Sequence, residues 1–340
     1  MHNRSTGVVL FRVDASLAMG SGHVMRCLTL ADGLRAAGMH CHFVCREHPG
    51  NMIEQITARG FEVTALSAAH EREADQENTP VHAAWLGASW STDAEQTRGV
   101  CMQWQPDWLV VDHYALDQRW ESRLRSACRH LMVIDDLADR PHDCDLLLDQ
   151  NLGRKTSDYQ ELVPASCLVL TGPTYALLRP EFAALRNASL ARRQTPQLKQ
   201  ILVTMGGVDK DNVTAKVLTA LRACALPADC RIMVVMGPHA PWLAQIRAIA
   251  DQMPWRTEVL VNISDMARVM AESDLAIGAA GSTSWERCVL GVPALMVVLA
   301  ENQKNIANAL QQEGAAWIWN MADPESFVEI MQDCMGESTR

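Results

Sequence analysis

Residues 8–38 set a glycine-bearing loop between a strand pattern and an amphipathic helix pattern, an order that restricts the chain to folds built from βα units. Val8 to Val13 reads as a buried strand, and the loop after it carries Asp14, Gly20 and Gly22. Val24, Cys27, Leu28, Ala31 and Leu34 then fall on one helical face, and Gly38 supplies a C-cap. His23 stands at the start of that helix. The spacing Gly-x-Gly-His is neither the Gly-x-Gly-x-x-Gly of dinucleotide sites nor a P-loop, whose lysine is absent. A helix N-terminus offers unpaired N–H groups and positive potential. That environment suits an anion, and a neutral imidazole placed there can accept a proton from water. Taken alone, a histidine at this position is more often a cap or a surface residue.

The length, 340 residues, predicts two domains, and a hydrophobic content of 48% is enough for two cores. The formal charge is −10 and no Lys/Arg-rich run occurs, which argues against nucleic-acid binding through a basic stripe. An anionic ligand must then be held by helix ends and a few placed cations. The 11 cysteines are scattered without zinc spacing and sit mostly in apolar runs, as expected of free thiols in a reducing compartment. Met1 to Gly7 is polar and does not read as a signal peptide. The longest apolar run, Val292 to Ala300, is too short to span a bilayer. These features predict a soluble cytoplasmic protein without membrane or nucleic-acid partners. Oligomeric state is not legible.

The βα alternation continues along the chain. Strands are expected at His40 to Cys45 and Phe61 to Leu66, with a helix between them opened by Pro49 and closed by Gly60. Residues 68–80 read as a polar loop. Trp108 to Val111 is a buried strand ending in Asp112-His113-Tyr114, and Leu131 to Ile134 is another ending in Asp135-Asp136. With Asp14, these polar residues all follow strand ends, where ligands of parallel sheets bind. Each one taken singly also reads as a cap or turn residue. Residues 186–197 look like a linker, so the expected domains are 1–190 and 191–340, the last helix being free to pack back on the first. In the second half Ile201 to Thr204 is a strand followed by a turn at Gly206-Gly207, and Asp274 to Ile277 is a strand leading into Gly278-Ala279-Ala280-Gly281-Ser282-Thr283-Ser284-Trp285-Glu286. Small residues let a ligand approach the backbone, and N–H groups with hydroxyls can hold a phosphate. Glu286, one turn inside the helix, is placed to reach a ribose hydroxyl. Thr283 to Glu286 fits a plain capping box equally well. Asn302 and Gln303 follow a further strand.

The combination of motifs has a resemblance. Two α/β halves resemble the GT-B architecture of nucleotide-sugar glycosyltransferases, in which two Rossmann-like domains face a central cleft. A narrower likeness rests on a series of motifs in order. The first are Arg12-Val13-Asp14-Ala15-Ser16, Gly20-Ser21-Gly22-His23-Val24-Met25-Arg26-Cys27, Val111-Asp112-His113-Tyr114 and Ile134-Asp135-Asp136. They continue through Asp149-Gln150-Asn151, residues 172–179, Met205-Gly206-Gly207, Gly281-Ser282-Thr283 and Glu301-Asn302-Gln303. Together they resemble the UDP-2,4-diacetamido-2,4,6-trideoxy-β-L-altropyranose hydrolases of pseudaminic acid biosynthesis.

The resemblance implies a hydrolase that needs no metal or cofactor and releases UDP with inversion at the anomeric carbon. It implies that His23 is the base and that Tyr114 and Asn302 position sugar or water, and Asp14 is expected to orient His23 or the water. UDP contacts are expected at Ala280, Gly281, Ser282, Thr283 and Glu286. Gly20, Gly22, Asp112, Gly206, Gly207 and Gln303 complete the expected substrate-binding set. A glycosyltransferase on the same scaffold is the alternative.

Overall fold

The computed structural model describes residues 7–67, 80–238 and 240–337. Most of the polar loop expected at 68–80 lies outside them. The chain divides into two compact units, Met1–Leu177 and Leu178–Arg340.

The first unit is an all-parallel sheet of β1 (Val8–Val13), β2 (His40–Arg46), β3 (Glu62–Leu66), β4 (Trp108–Asp112), β5 (His130–Ile134), β6 (Leu146–Asp149) and β7 (Leu168–Thr171). Its order is β3-β2-β1-β4-β5-β6-β7. The side-chain period of two splits the apolar strands between two cores. Val9, Phe11 and Val13 face α1 (Gly22–Ala36), meeting Val24, Cys27, Leu28 and Ala31, as the helical spacing predicts. Leu10, Leu109 and Val111 face the other way, against Val100 of α3 (Trp90–Trp104) and Trp120 and Leu124 of α4 (Gln118–Leu124). Ser89 caps α3, its hydroxyl accepting from Thr92 N at 3.0 Å. The helix expected to open at Pro49 begins later, as α2 (Ile53–Ala58). Pro49 instead lends its carbonyl to Leu17 N, and Asn51 Oδ1 accepts from Ile53 N.

The second unit repeats the plan with β8 (Gln200–Thr204), β9 (Arg231–Met236), β10 (Arg256–Val261), β11 (Leu275–Ala279), β12 (Ala294–Val297) and β13 (Ala316–Trp319). The order is β10-β9-β8-β11-β12-β13, again wholly parallel. One face packs on α6 (Val213–Leu221), α7 (Leu243–Ala250) and α11 (Ser326–Glu337), whose Phe327 and Met331 are fully buried among Val203, Val217 and Val297. The other face packs on α5 (Pro180–Arg192), α8 (Met266–Ala271) and α9 (Thr283–Leu290) through Phe182, Met270 and Leu290. α10 (Lys304–Gln312) lies against β13. The stretch read as a linker is therefore helical through Arg192, and this helix packs on α8 and α9.

One device recurs at the amino-terminal ends of both sheets. An aspartate just before one strand accepts amides at the start of its neighbour. Asp107 takes Val8 N at 3.0 Å, Asp145 takes Leu131 N at 2.7 Å, and Asp274 takes Lys199 N and Gln200 N at 2.8 and 2.9 Å. Among the described residues no helix is long and apolar enough to cross a membrane.

Candidate active site

In an open parallel sheet, the place where strand order reverses leaves a crevice at the carboxyl ends of the strands. In the first unit that point lies between β1 and β4. The loop after β1 leads to His23, the second residue of α1, and β4 ends in Asp112. His23 Nδ1 lies 2.6 Å from Asp112 Oδ1. Arg26, one turn on and on the same helix face, grips that carboxylate with Nε on Oδ2 at 2.6 Å and Nη2 on Oδ1 at 2.7 Å. Its Nη1 reaches Asp136 Oδ2 at 2.7 Å.

Burial works to raise the Asp112 carboxyl, but Arg26 and His23 outweigh it and hold the group well below the usual carboxylate range. An ionised Asp112 accepts from Nδ1–H, so the lone pair of the neutral ring sits on Nε2. The described residues give Nε2 no hydrogen-bond partner, and the side chain is 10% exposed. An oriented ring, a buried counter-charge behind it and one open nitrogen are the features a general base requires.

Several expectations change in detail. Asp14 is not the partner of His23. It is 1% exposed and takes Arg12 Nη1 at 2.6 Å and Arg46 N at 2.6 Å, with His113 Nε2 3.3 Å away. Burial pushes against its ionisation, and Arg12 together with His113 and His48 more than offsets that, so Asp14 is held below the usual range as a structural anion. Asp112, expected to touch substrate, is fully buried and lies behind His23, on its Nδ1. Tyr114 is 4% exposed and donates its hydroxyl to Asp136 at 2.5 Å. Its ring meets that of His23 edge-on at 4.5 Å, so it fixes the imidazole by packing. Gly20, at φ +75°, turns the loop and gives its N–H to Ser16 O. Gly22 opens α1.

Residues to which sequence reasoning gave no role complete the surroundings. Arg26 was legible from its three-residue spacing to His23. His82 and Trp85 pack against each other, ring centroids 4.3 Å apart and planes tilted by 39°, and lie 5.5 and 6.0 Å from the Tyr114 ring. Nothing in their local pattern pointed to that placement.

In the second unit the order reverses between β8 and β11. The turn after β8 holds Gly206, at φ +90°, and Gly207. Gly207 O lies where a side chain at Gly237 would stand, 2.1 Å from that Cβ position. The turn after β11 runs through Ala280 to Ser282 into α9. Ala280 is 1% exposed and its N–H goes to Val297 O, so it lines no ligand surface. By contrast, the N–H groups of Gly281, Ser282 and Thr283 meet no acceptor among the described residues, and Ser282 forms no side-chain cap. Three successive free donors at a helix start make an anion cradle. Glu286 receives Arg179 Nη2 on Oε1 at 2.9 Å. Burial raises its carboxyl, with Arg179 opposing. Asn302 and Gln303 lie in the turn Glu301–Gln303 after β12, where Gln303 Oε1 accepts from Leu299 N at 3.0 Å.

The chain is similar to known proteins in sequence and in fold. Over 90% of its length the chain is 25% identical to the UDP-2,4-diacetamido-2,4,6-trideoxy-beta-L-altropyranose hydrolase of Campylobacter jejuni, 97% of which is covered. It is 26% identical, over 85% of its length, to the uncharacterized protein MJ1062 of Methanocaldococcus jannaschii, and spans 55% of that protein. The crystal structure of Acinetobacter baumannii MurG superposes with a TM-score of 0.66 at 18% identity, covering 97% of this chain and 91% of that one. The chain thus has the two-domain α/β fold of the GT-B proteins, and its residues 200–340 match the glycosyltransferase family 28 C-terminal domain.

Proposed function

We propose that the chain hydrolyses a UDP-linked 2,4-diacetamido-2,4,6-trideoxy sugar (UDP-6-deoxy-AltdiNAc), without a metal ion and with inversion, to UDP and free 2,4-diacetamido-2,4,6-trideoxy-L-altrose. The observation that carries this reading is the His23–Asp112–Arg26 constellation, which leaves one imidazole nitrogen open at a strand-order reversal. The likeness to the Campylobacter hydrolase supplies the substrate class. His23 Nε2 takes a proton from water as the water oxygen bonds to the anomeric carbon. The bond from that carbon to the phosphate oxygen breaks, and UDP leaves with the electron pair. Asp112 stabilises the imidazolium that forms, and the proton then passes to solvent. For the second unit, the reading is that the free amides of residues 281–283 hold the diphosphate of UDP. No step calls for a metal ion, so turnover persists in EDTA.

The test follows UDP and free sugar together by NMR. The first product anomer, caught before mutarotation, is the inverted one; a retained anomer points to a covalent intermediate and sinks the scheme. The match of residues 200–340 to a glycosyltransferase domain keeps a second reading in view, transfer to an acceptor hydroxyl in place of water. UDP release that depends on an added acceptor decides for it.

A further inference from the structure

Arg287 lies inside α9, four residues after Thr283, and is 1% exposed. Helical side chains lean back toward the N-terminus, and this one does. Its Nη2 donates to Ala279 O at 2.8 Å and to Ser284 Oγ at 2.9 Å. Nε and Nη1 are buried and meet no acceptor. Nη1 sits 2.7 Å from where a Cβ at Gly278 would be, and Gly278 pairs in register with Thr204, the last residue of β8. The guanidinium therefore lies at the reversal between β8 and β11, next to the strand end that leads into the free amides of residues 281–283. No carboxylate forms an ion pair with it among the described residues, and the neighbouring Glu286 is engaged by Arg179.

Three costs coincide here. A buried charge without a counter-ion costs several kcal/mol. A cation at the amino end of a helix opposes the helix dipole. Two donor nitrogens are left unbonded in the interior. An anion on the turn relieves the first two. The field of a buried charge is little screened, so the guanidinium acts on that anion without touching it.

We propose that Arg287 is the buried counter-charge of the diphosphate, a positioning residue that makes the 281–283 turn selective for a doubly phosphorylated nucleoside. The inference rests on the reading that this turn holds UDP. Its second function is steric and local: by holding Ala279 O and Ser284 Oγ inward it leaves the amides of residues 281–283 free for the ligand. Burial also drags the Arg287 guanidinium down, to about 10, which fits a charge awaiting a partner.

Arg287→Gln and Arg287→Lys separate charge from packing. Both keep a donor on a flexible stem, and only the lysine keeps the charge. Dissociation constants for UDP, inorganic pyrophosphate and uridine are measured by calorimetry and NMR titration, with melting temperatures of the ligand-free proteins. The expected result is a loss of tenfold or more in UDP and pyrophosphate affinity in Arg287→Gln and within threefold of wild type in Arg287→Lys. Uridine binding stays unchanged in both, and ligand-free Arg287→Gln melts no lower than Arg287→Lys. Equal UDP affinity in the two variants overturns the proposal. So does a joint loss of UDP, uridine and melting temperature in Arg287→Gln, or its failure to fold while Arg287→Lys folds, since these mark a purely structural arginine. Wild-type protein that binds pyrophosphate but not UDP overturns the UDP reading alone; one that binds neither overturns both.

Discussion

His23 depends on a neighbour that sequence reasoning gave to another task. Asp112 was legible as a polar strand end, but its pairing with the imidazole is decided by strand order, which no local spacing contains. Asp14 occupied the more suggestive position, beside the glycine loop, yet the buried Arg12 and Arg46 amide claim it. Two predictions belong to this scale. His23→Ala removes the base and lowers turnover by about 10²–10⁴, leaving the affinity for UDP near wild type by calorimetry. Asp112→Asn keeps the shape but removes the charge that fixes the tautomer, so kcat falls by about 10² or more while KM moves little. A KM effect without a kcat effect would place Asp112 in binding instead.

Helices and strands were readable to different degrees for one reason. Strands covered on both faces appear as nearly continuous apolar runs, and β1 and β4 stand where those runs were found. A polar helix was legible from Leu178 to Phe182, but the second half of α5 was read as linker because its polar residues and its C-cap have partners far along the chain: Ser189 Oγ donates to Leu290 O and the capping Arg193 Nη2 to Ser273 O. Composition sees polarity and reads a linker. Glycines give a sharper test of element packing. Gly237→Ala must displace the turn carrying Gly207 O, so it destabilises by about 1–3 kcal/mol and weakens UDP binding. Gly99→Ala, on α3 with nothing within 4 Å of its Cβ position, is expected to stabilise by about 0.5–1 kcal/mol. Paired thermal melts check both; equal shifts in the two variants would mean that the 206–207 turn yields freely.

Across the whole molecule, buried carboxylates set the response to acid. Burial raises Asp14, Asp93, Asp112 and Asp135, but the arginines, histidines and hydrogen-bond donors around them together outweigh it and hold all four below the ordinary range. Their folded pKa values thus lie under the unfolded value of about 3.9. Their stabilisation is complete above that value and is lost as pH falls below it. Asp149, pushed up to about 6 by burial and then by Asp136, runs the other way and favours the folded state below that pH. Four buried aspartates against two raised carboxyls, Asp149 and Glu286, predict a melting temperature that drops below about pH 4, read by calorimetric scans from pH 7 to 3. A flat profile there would mean that these carboxylates are already neutral in the folded protein.

The aspartates that receive amides at the start of β1, β5 and β8 carry a consequence for how this protein tolerates change. They stand at the strand ends opposite the proposed functional groups, and in the first sheet both ends draw on aspartate, Asp107 and Asp145 at one and Asp112 at the other. Asp274→Ala is then expected to shorten the lifetime of the fold at elevated temperature while every surviving molecule works at the original speed. Mutational drift is free to trade robustness on one rim without touching what happens on the other.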